Sequence, residues 1–132
     1  MSHLQIIYSS QPFGFDMDIL SSILERARRN NVRDDITGAL ICRGDLYLQL
    51  LEGPAAAVAS AYGRIMADDR HIGMVRRLMR ETETRLFPGW AMRDDPAEGW
   101  VWTLEEINDG ALDRATATDF LTVFERVAQT PD

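Results

Sequence analysis

The stretch DLYLQLLEGP, residues 45–54, reads as a β-strand that is apolar on both sides. Side chains alternate across a strand, so Leu46, Leu48 and Leu50 share one side while Tyr47, Gln49 and Leu51 share the other. Such a strand cannot lie in a sheet with one wet face; both faces need cover. Gln49 is the polar residue in its middle. A buried carboxamide must find hydrogen-bond partners or it destabilises the fold. It therefore points either at water or at something polar inside.

The rest of the pattern supplies the cover. Residues 4–10, LQIIYSS, alternate and are rich in β-formers, predicting a first strand. QPFGF breaks the pattern. Asp16 then stands as an N-cap before a helix with Met17, Ile19, Leu20, Ile23, Leu24 and Ala27 at helical spacing, and NNVRDD ends it. Residues 36–43 form a second strand, with Cys42 a small apolar residue inside it, and Arg43-Gly44-Asp45 turns the chain into the two-sided strand. Gly53-Pro54 opens a second helix over 55–68, with Val58, Ala61, Tyr62, Ile65 and Met66 on one side. Residues 74–83 give a fourth strand, and Phe87-Pro88-Gly89 leads into a short fifth over 90–93.

The order β-α-β-β-α-β-β predicts an α+β, ferredoxin-like sheet with an added strand and two helices on one face. The tail is expected to cover the other face. It holds a short helix at TLEEIND, with Thr103 and Glu106 spaced as a capping box, and a helix over 113–128. The second helix carries Ala117, Phe120, Leu121, Phe124, Val127 and Ala128 on one stripe. Packing of this stripe on a second copy of the chain is the alternative. The expected division is a domain over 1–95 and a linker with helical extension over 96–132.

Composition narrows the chemistry. The formal net charge of −7 argues against nucleic acid or an anionic membrane as partner. Arg26, Arg28, Arg29, Arg76, Arg77 and Arg80 read as solvated edges, with a phosphate contact by one of them as the rival. The chain has no lysine, so a Schiff base is excluded. A single cysteine and two histidines, His3 and His71, give no metal site and no internal disulfide. No apolar run approaches the ~20 residues of a membrane helix, and nothing at the N-terminus reads as a secretory signal, so a cytoplasmic location is expected.

Tyr8 shares a side with Leu4 and Ile6, and Asn30 and Asn31 fall at the end of the first helix. With Gln49, a phenol and three amides then converge between two helices. They either satisfy one another as a buried network or surround a flat heteroaromatic ligand with carbonyl and ring-nitrogen groups. Asn30-Asn31 alone would be read as a helix C-cap, and Trp90 and Met92 alone as core.

IIYSS (6–10), NN (30–31), ITGALI (36–41), LQLLEGP (48–54), RIMADDRH (64–71) and FPGWAM (87–92) stand in order and with natural spacing. Together they resemble the BLUF domain, the blue-light sensor using FAD, from residue 4 to residue 93. The resemblance implies a non-covalent FAD between the first two helices. It implies that Tyr8 is the electron and proton donor, and that Gln49 lies between Tyr8 and the flavin. It implies that Asn31 hydrogen-bonds the flavin carbonyl edge, with Asn30 as a second contact. By the same resemblance Ile23 and Ile65 flank the ring, Arg64 and Asp68 are polar contacts near its pyrimidine end and ribityl chain, and Trp90 and Met92 are the pair on strand five whose burial changes with light.

A short, stand-alone photoreceptor is therefore expected, not an enzyme, signalling to a separate protein from a homodimer or larger homo-oligomer. Two rivals stand beside it. A flavin-dependent enzyme would turn over NAD(P)H; a ferredoxin-like interaction module without flavin would purify colourless.

Overall fold

The structure is a computed structural model that describes residues 3–12, 17–43, 46–67, 71–89, 93–95 and 110–129. Five strands among them form one sheet: β1 (His3–Pro12), β2 (Thr37–Arg43), β3 (Leu46–Gly53), β4 (His71–Thr82) and β5 (Arg93–Asp95). Their order is β4-β1-β3-β2-β5, which puts the two-sided strand in the middle. The first four strands pair antiparallel, and β5 joins parallel to β2. Since β3 lies between β1 and β2, this is the split β-α-β arrangement of an α+β, ferredoxin-like fold.

The helices are α1 (Met17–Asp34), α2 (Ala55–Met66), the short α3 (Ala111–Arg114) and α4 (Ala117–Gln129). On one face of the sheet Ile6, Tyr8, Leu40, Tyr47 and Leu51 pack with Val58 and Ala61 of α2, and Ala27 of α1 joins them. On the other face Ile7, Ala39, Ile41, Leu48 and Leu50 pack with Phe120, Val123, Phe124 and Val127 of α4 and with Phe87. Each fully buried Phe or Val of α4 contributes about 1.5–3 kcal/mol by leaving water, which makes α4 part of the core. The tail thus covers the face that α1 and α2 leave open.

Several expected boundaries move. The first helix does not stop at Asn30-Asn31 but runs through them to Asp34. It ends because Asp35 adopts the left-handed conformation, φ 59°, and Ile36 N–H returns to the Asn31 carbonyl. The capping role therefore belongs to Asp35, and both asparagines are helical. Pro54 precedes the second helix as its N-cap residue. β4 begins at His71 rather than at residue 74; β5 is described over Arg93–Asp95, and residues 90–92 of the expected fifth strand lie outside the described residues. The tail helix is broken at Ala115-Thr116, where Thr116 and Asp119 cap α4 reciprocally. Val123 is buried there, while Leu121 packs only at the cluster's edge. The helix expected at TLEEIND and the Asp16 cap lie outside the described residues.

Two glycines let the backbones close up around β3. A Cβ on Gly38 would run into the Leu50 carbonyl. A Cβ on Gly53, φ 156°, would stand 2.7 Å from the Asp35 carbonyl oxygen. Gly53 thus lets the end of β3 pass directly beside the turn that ends α1. Among the described residues, no helix is long and apolar enough to cross a membrane.

Candidate functional site

The β1–β3 register sets Tyr8 opposite Gln49, and the β2–β3 register sets Leu40 opposite Gln49 from the other side. All three are buried on the face that α2 covers. The Tyr8 hydroxyl donates a hydrogen bond to Gln49 Oε1. This answers the polar residue in the middle of β3: its amide oxygen is held by a phenol on the neighbouring strand. With the oxygen committed to Tyr8, the amide nitrogen is the donor end.

A β-bulge lies beside this pair. β1 pairs Ile7 with Leu78 but Tyr8 with Arg76, so Arg77 is the extra residue. Arg77 turns to the opposite face, where Nε donates to Ser9 Oγ at 2.9 Å and the guanidinium lies 5.2 Å from the Phe120 ring centroid. It also pairs with Asp113 at 3.4 Å. Arg77 is thus a structural link to the tail rather than a solvated edge, whereas Arg26, Arg28, Arg29, Arg76 and Arg80 are exposed.

Tyr62 of α2 completes the surroundings of Tyr8, its ring 5.5 Å from the Tyr8 ring and tilted by 55°. Burial pushes the Tyr62 phenol above its ordinary range, against the opposing charge of Arg76. The sequence placed Tyr62 on the buried side of its helix, but its pairing with Tyr8 is a matter of three dimensions.

From α1, Ala27 packs onto the same cluster. Asn30 and Asn31 follow three and four residues later and so lie near the same side of the helix. Asn31 is buried and Asn30 half-buried. Ile65 is half-buried against the cluster from α2. Arg64 is exposed and reaches across to Asp34 at 3.2 Å, tying the end of α2 to the end of α1, and it donates to Ser60 Oγ at 3.1 Å. The Arg33 hydrogen bond holds the Asp34 carboxyl below the usual carboxylate range, desolvation opposes it, and Arg64 adds to the lowering. The side chain of Ile23 and the residues Asp68, Trp90 and Met92 lie outside the described residues.

One buried carboxylate escaped the sequence reading. Glu52 stands on the Leu48–Leu50 side of β3 and is wholly buried. The signal was present: a charged residue continuing an apolar face needs donors aimed at it.

Comparison with known proteins places these features in a family. Residues 4–93 match the family described as BLUF: Sensors of blue-light using FAD. The chain is 35% identical over 113 residues to the blue light- and temperature-regulated antirepressor BluF of Escherichia coli (strain K12), covering 83% of this chain and 27% of that protein. It is 38% identical over 74 residues to the photoactivated adenylate cyclase subunit beta of Euglena gracilis, covering 55% of this chain and 9% of that one. Among solved structures, the BLUF protein BlrB in its dark state superposes with a TM-score of 0.81 at 25% identity, over 96% of each chain. A bacterial light-regulated adenylyl cyclase superposes with a TM-score of 0.69 at 28% identity, over 85% of this chain and 33% of that one. The chain belongs to the BLUF family of blue-light sensors, whose cofactor is FAD.

The donor set suits that cofactor. A flavin ring presents carbonyl oxygens and ring nitrogens along one edge and apolar surface on its faces. The described residues offer the matching groups: buried carboxamides at Asn31 and Gln49, a phenol at Tyr8, and aliphatic surface at Ile65. Among the described residues, no group of three or more His, Cys, Asp or Glu could hold a metal.

Proposed function

We propose that light is sensed at the Tyr8–Gln49 pair and read out through a change in the hydrogen bonding of Gln49. The observation that carries this is the direct bond from the Tyr8 hydroxyl to Gln49 Oε1 within a buried row of three strands. When bound and excited by blue light, FAD supplies an oxidant strong enough to take an electron from a phenol. A tyrosine that loses an electron becomes a strong acid at its hydroxyl. The Gln49 amide oxygen, which accepts the Tyr8 hydrogen bond, stands in line for its proton. Gln49 has a donor end and an acceptor end, so reversing the side chain, or tautomerising it, changes whether a donor or an acceptor faces Tyr8. Burial excludes water, which would otherwise satisfy both ends equally and erase the difference.

Asn31, with Asn30, would hold the carbonyl edge, and Ile23 and Ile65 would flank the ring. Arg64 and Asp68 would meet the pyrimidine end and ribityl chain. Trp90 and Met92, between Phe87 and β5 in sequence, would carry the change toward the tail. The output is a protein contact with a separate signalling partner, made from a homodimer or larger assembly. An acidic chain, net −7, favours that over nucleic acid or an anionic membrane. The sensor role is not one of substrate turnover.

The test is the flavin absorption of FAD-loaded variants before and after blue light. Gln49→Leu should bind FAD and show no red shift, and Tyr8→Phe should bind FAD and lose the normal photocycle. A normal shift in Gln49→Leu, or an unchanged cycle in Tyr8→Phe, removes that residue from the mechanism.

A further inference from the structure

Glu52 sits three residues beyond Gln49 on β3, on the opposite face of the sheet, about 10 Å along a strand rising about 3.3 Å per residue. Its carboxylate takes up four donors. Oε1 accepts from Gln5 Nε2 at 3.0 Å and from the Leu86 backbone N–H at 2.9 Å. Oε2 accepts from the Phe87 backbone N–H at 2.7 Å and from Thr37 Oγ1 at 3.3 Å. Arginines close the network from outside: Arg80 Nε donates to Gln5 Oε1 at 2.8 Å, and Arg85 donates to Thr37 Oγ1 at 3.1 Å and pairs with Asp35 at 3.2 Å.

The two backbone groups matter most. Phe87 is buried and its ring meets Phe124 of α4 edge-on, centroids 6.3 Å apart. The loop after β4 is thus fastened to β3 by one carboxylate and to α4 by one ring. β3 is hydrogen-bonded to a strand on each side, so a shift of its backbone at Gln49 cannot dissipate by fraying. Leu86 and Phe87 also stand immediately before the segment that leads to β5.

We propose that Glu52 is a positioning residue that relays the state of Gln49 through β3 to the Leu86–Phe87 backbone, and from there through Phe87 to α4. This rests on the photoreceptor role of the Tyr8–Gln49 pair. Glu52 touches neither Tyr8 nor Gln49. Its role is to make the loop and the tail helix follow the central strand.

The experiment uses the whole chain loaded with FAD. Flavin absorption and the amide NMR signals of Leu86 and Phe87 are followed in the dark and under blue light. In the wild type both amide signals should move on illumination and return with the flavin band. In Glu52→Gln one carboxylate oxygen is replaced by an N–H₂ that faces donors, so the light response of these amides should fall at least about fivefold while the red shift persists. Glu52→Asp, which keeps two acceptor oxygens, should restore part of the response. A wild type whose flavin shifts while Leu86 and Phe87 stay unmoved overturns the relay, and this outcome stands even where a variant fails to fold. A Glu52→Gln protein with the full amide response also overturns it. A wild type with no red shift sinks the photoreceptor reading itself, and the relay with it.

Discussion

Removing the Tyr8–Gln49 hydrogen bond from one side costs more than removing it from both. In Tyr8→Phe the buried Gln49 oxygen loses its phenol, and in Gln49→Leu the buried Tyr8 hydroxyl loses its acceptor. Stranding a buried polar group from its partner costs about 1–3 kcal/mol, whereas replacing both partners with apolar groups of similar shape is nearly neutral. Each single variant should therefore unfold about 1–2 kcal/mol more easily. The double variant should lie closer to the wild type than the sum of the two, with a coupling energy of about 1 kcal/mol or more. Urea unfolding of the flavin-free chain, followed by far-ultraviolet circular dichroism, reads all four corners of the cycle. Removing flavin isolates the protein's own bond from any bond to the cofactor. Single effects that add to within about 0.3 kcal/mol would refute the direct bond.

Phe124 is fully buried between the sheet and Phe87, so Phe124→Ala should cost about 3–5 kcal/mol in the same assay; a loss near zero would detach α4 from the core. Gly53→Ala should cost about 1–3 kcal/mol instead of giving the gain of about 0.4–1 kcal/mol that a strain-free Gly→Ala exchange brings, because its Cβ would stand 2.7 Å from the Asp35 carbonyl oxygen, and a neutral result would deny that close approach. The Asp34 carboxyl is held low in the folded chain, so its ion pairing contributes above the unfolded value of about 4 and is lost as pH falls through the still lower folded value. FAD release from the wild type should therefore be slower than from Asp34→Asn near neutrality, with the two converging in acid; equal rates at every pH would show that the Arg64–Asp34 tie does not hold the site.

Much of the architecture was legible because β3 is apolar on both sides. That fact forces two covered faces and finds the tail's role. The end of α1 was not legible, since Asn-Asn is a common helix stop and only the turn at Asp35 shows that both residues stay helical. Gln49 and Tyr8 shared a face by alternation, but the register that makes them direct partners depends on strand pairing across distant sequence. Glu52 went unread for the same reason: its donors come from β1, β2 and the loop after β4. Arg77 looked like its exposed neighbours until the bulge turned it to the other face.

The most direct measurement is the absorption spectrum of the FAD-loaded wild type in the dark, under blue light, and again in the dark. A small red shift of an otherwise intact flavin band, reversing in the dark, is the expected result. It is what a change in hydrogen bonding around a chemically unaltered flavin produces. A bleached band would mean net reduction instead, and an unchanged spectrum would mean that the Tyr8–Gln49 pair is a buried network with no part in sensing light.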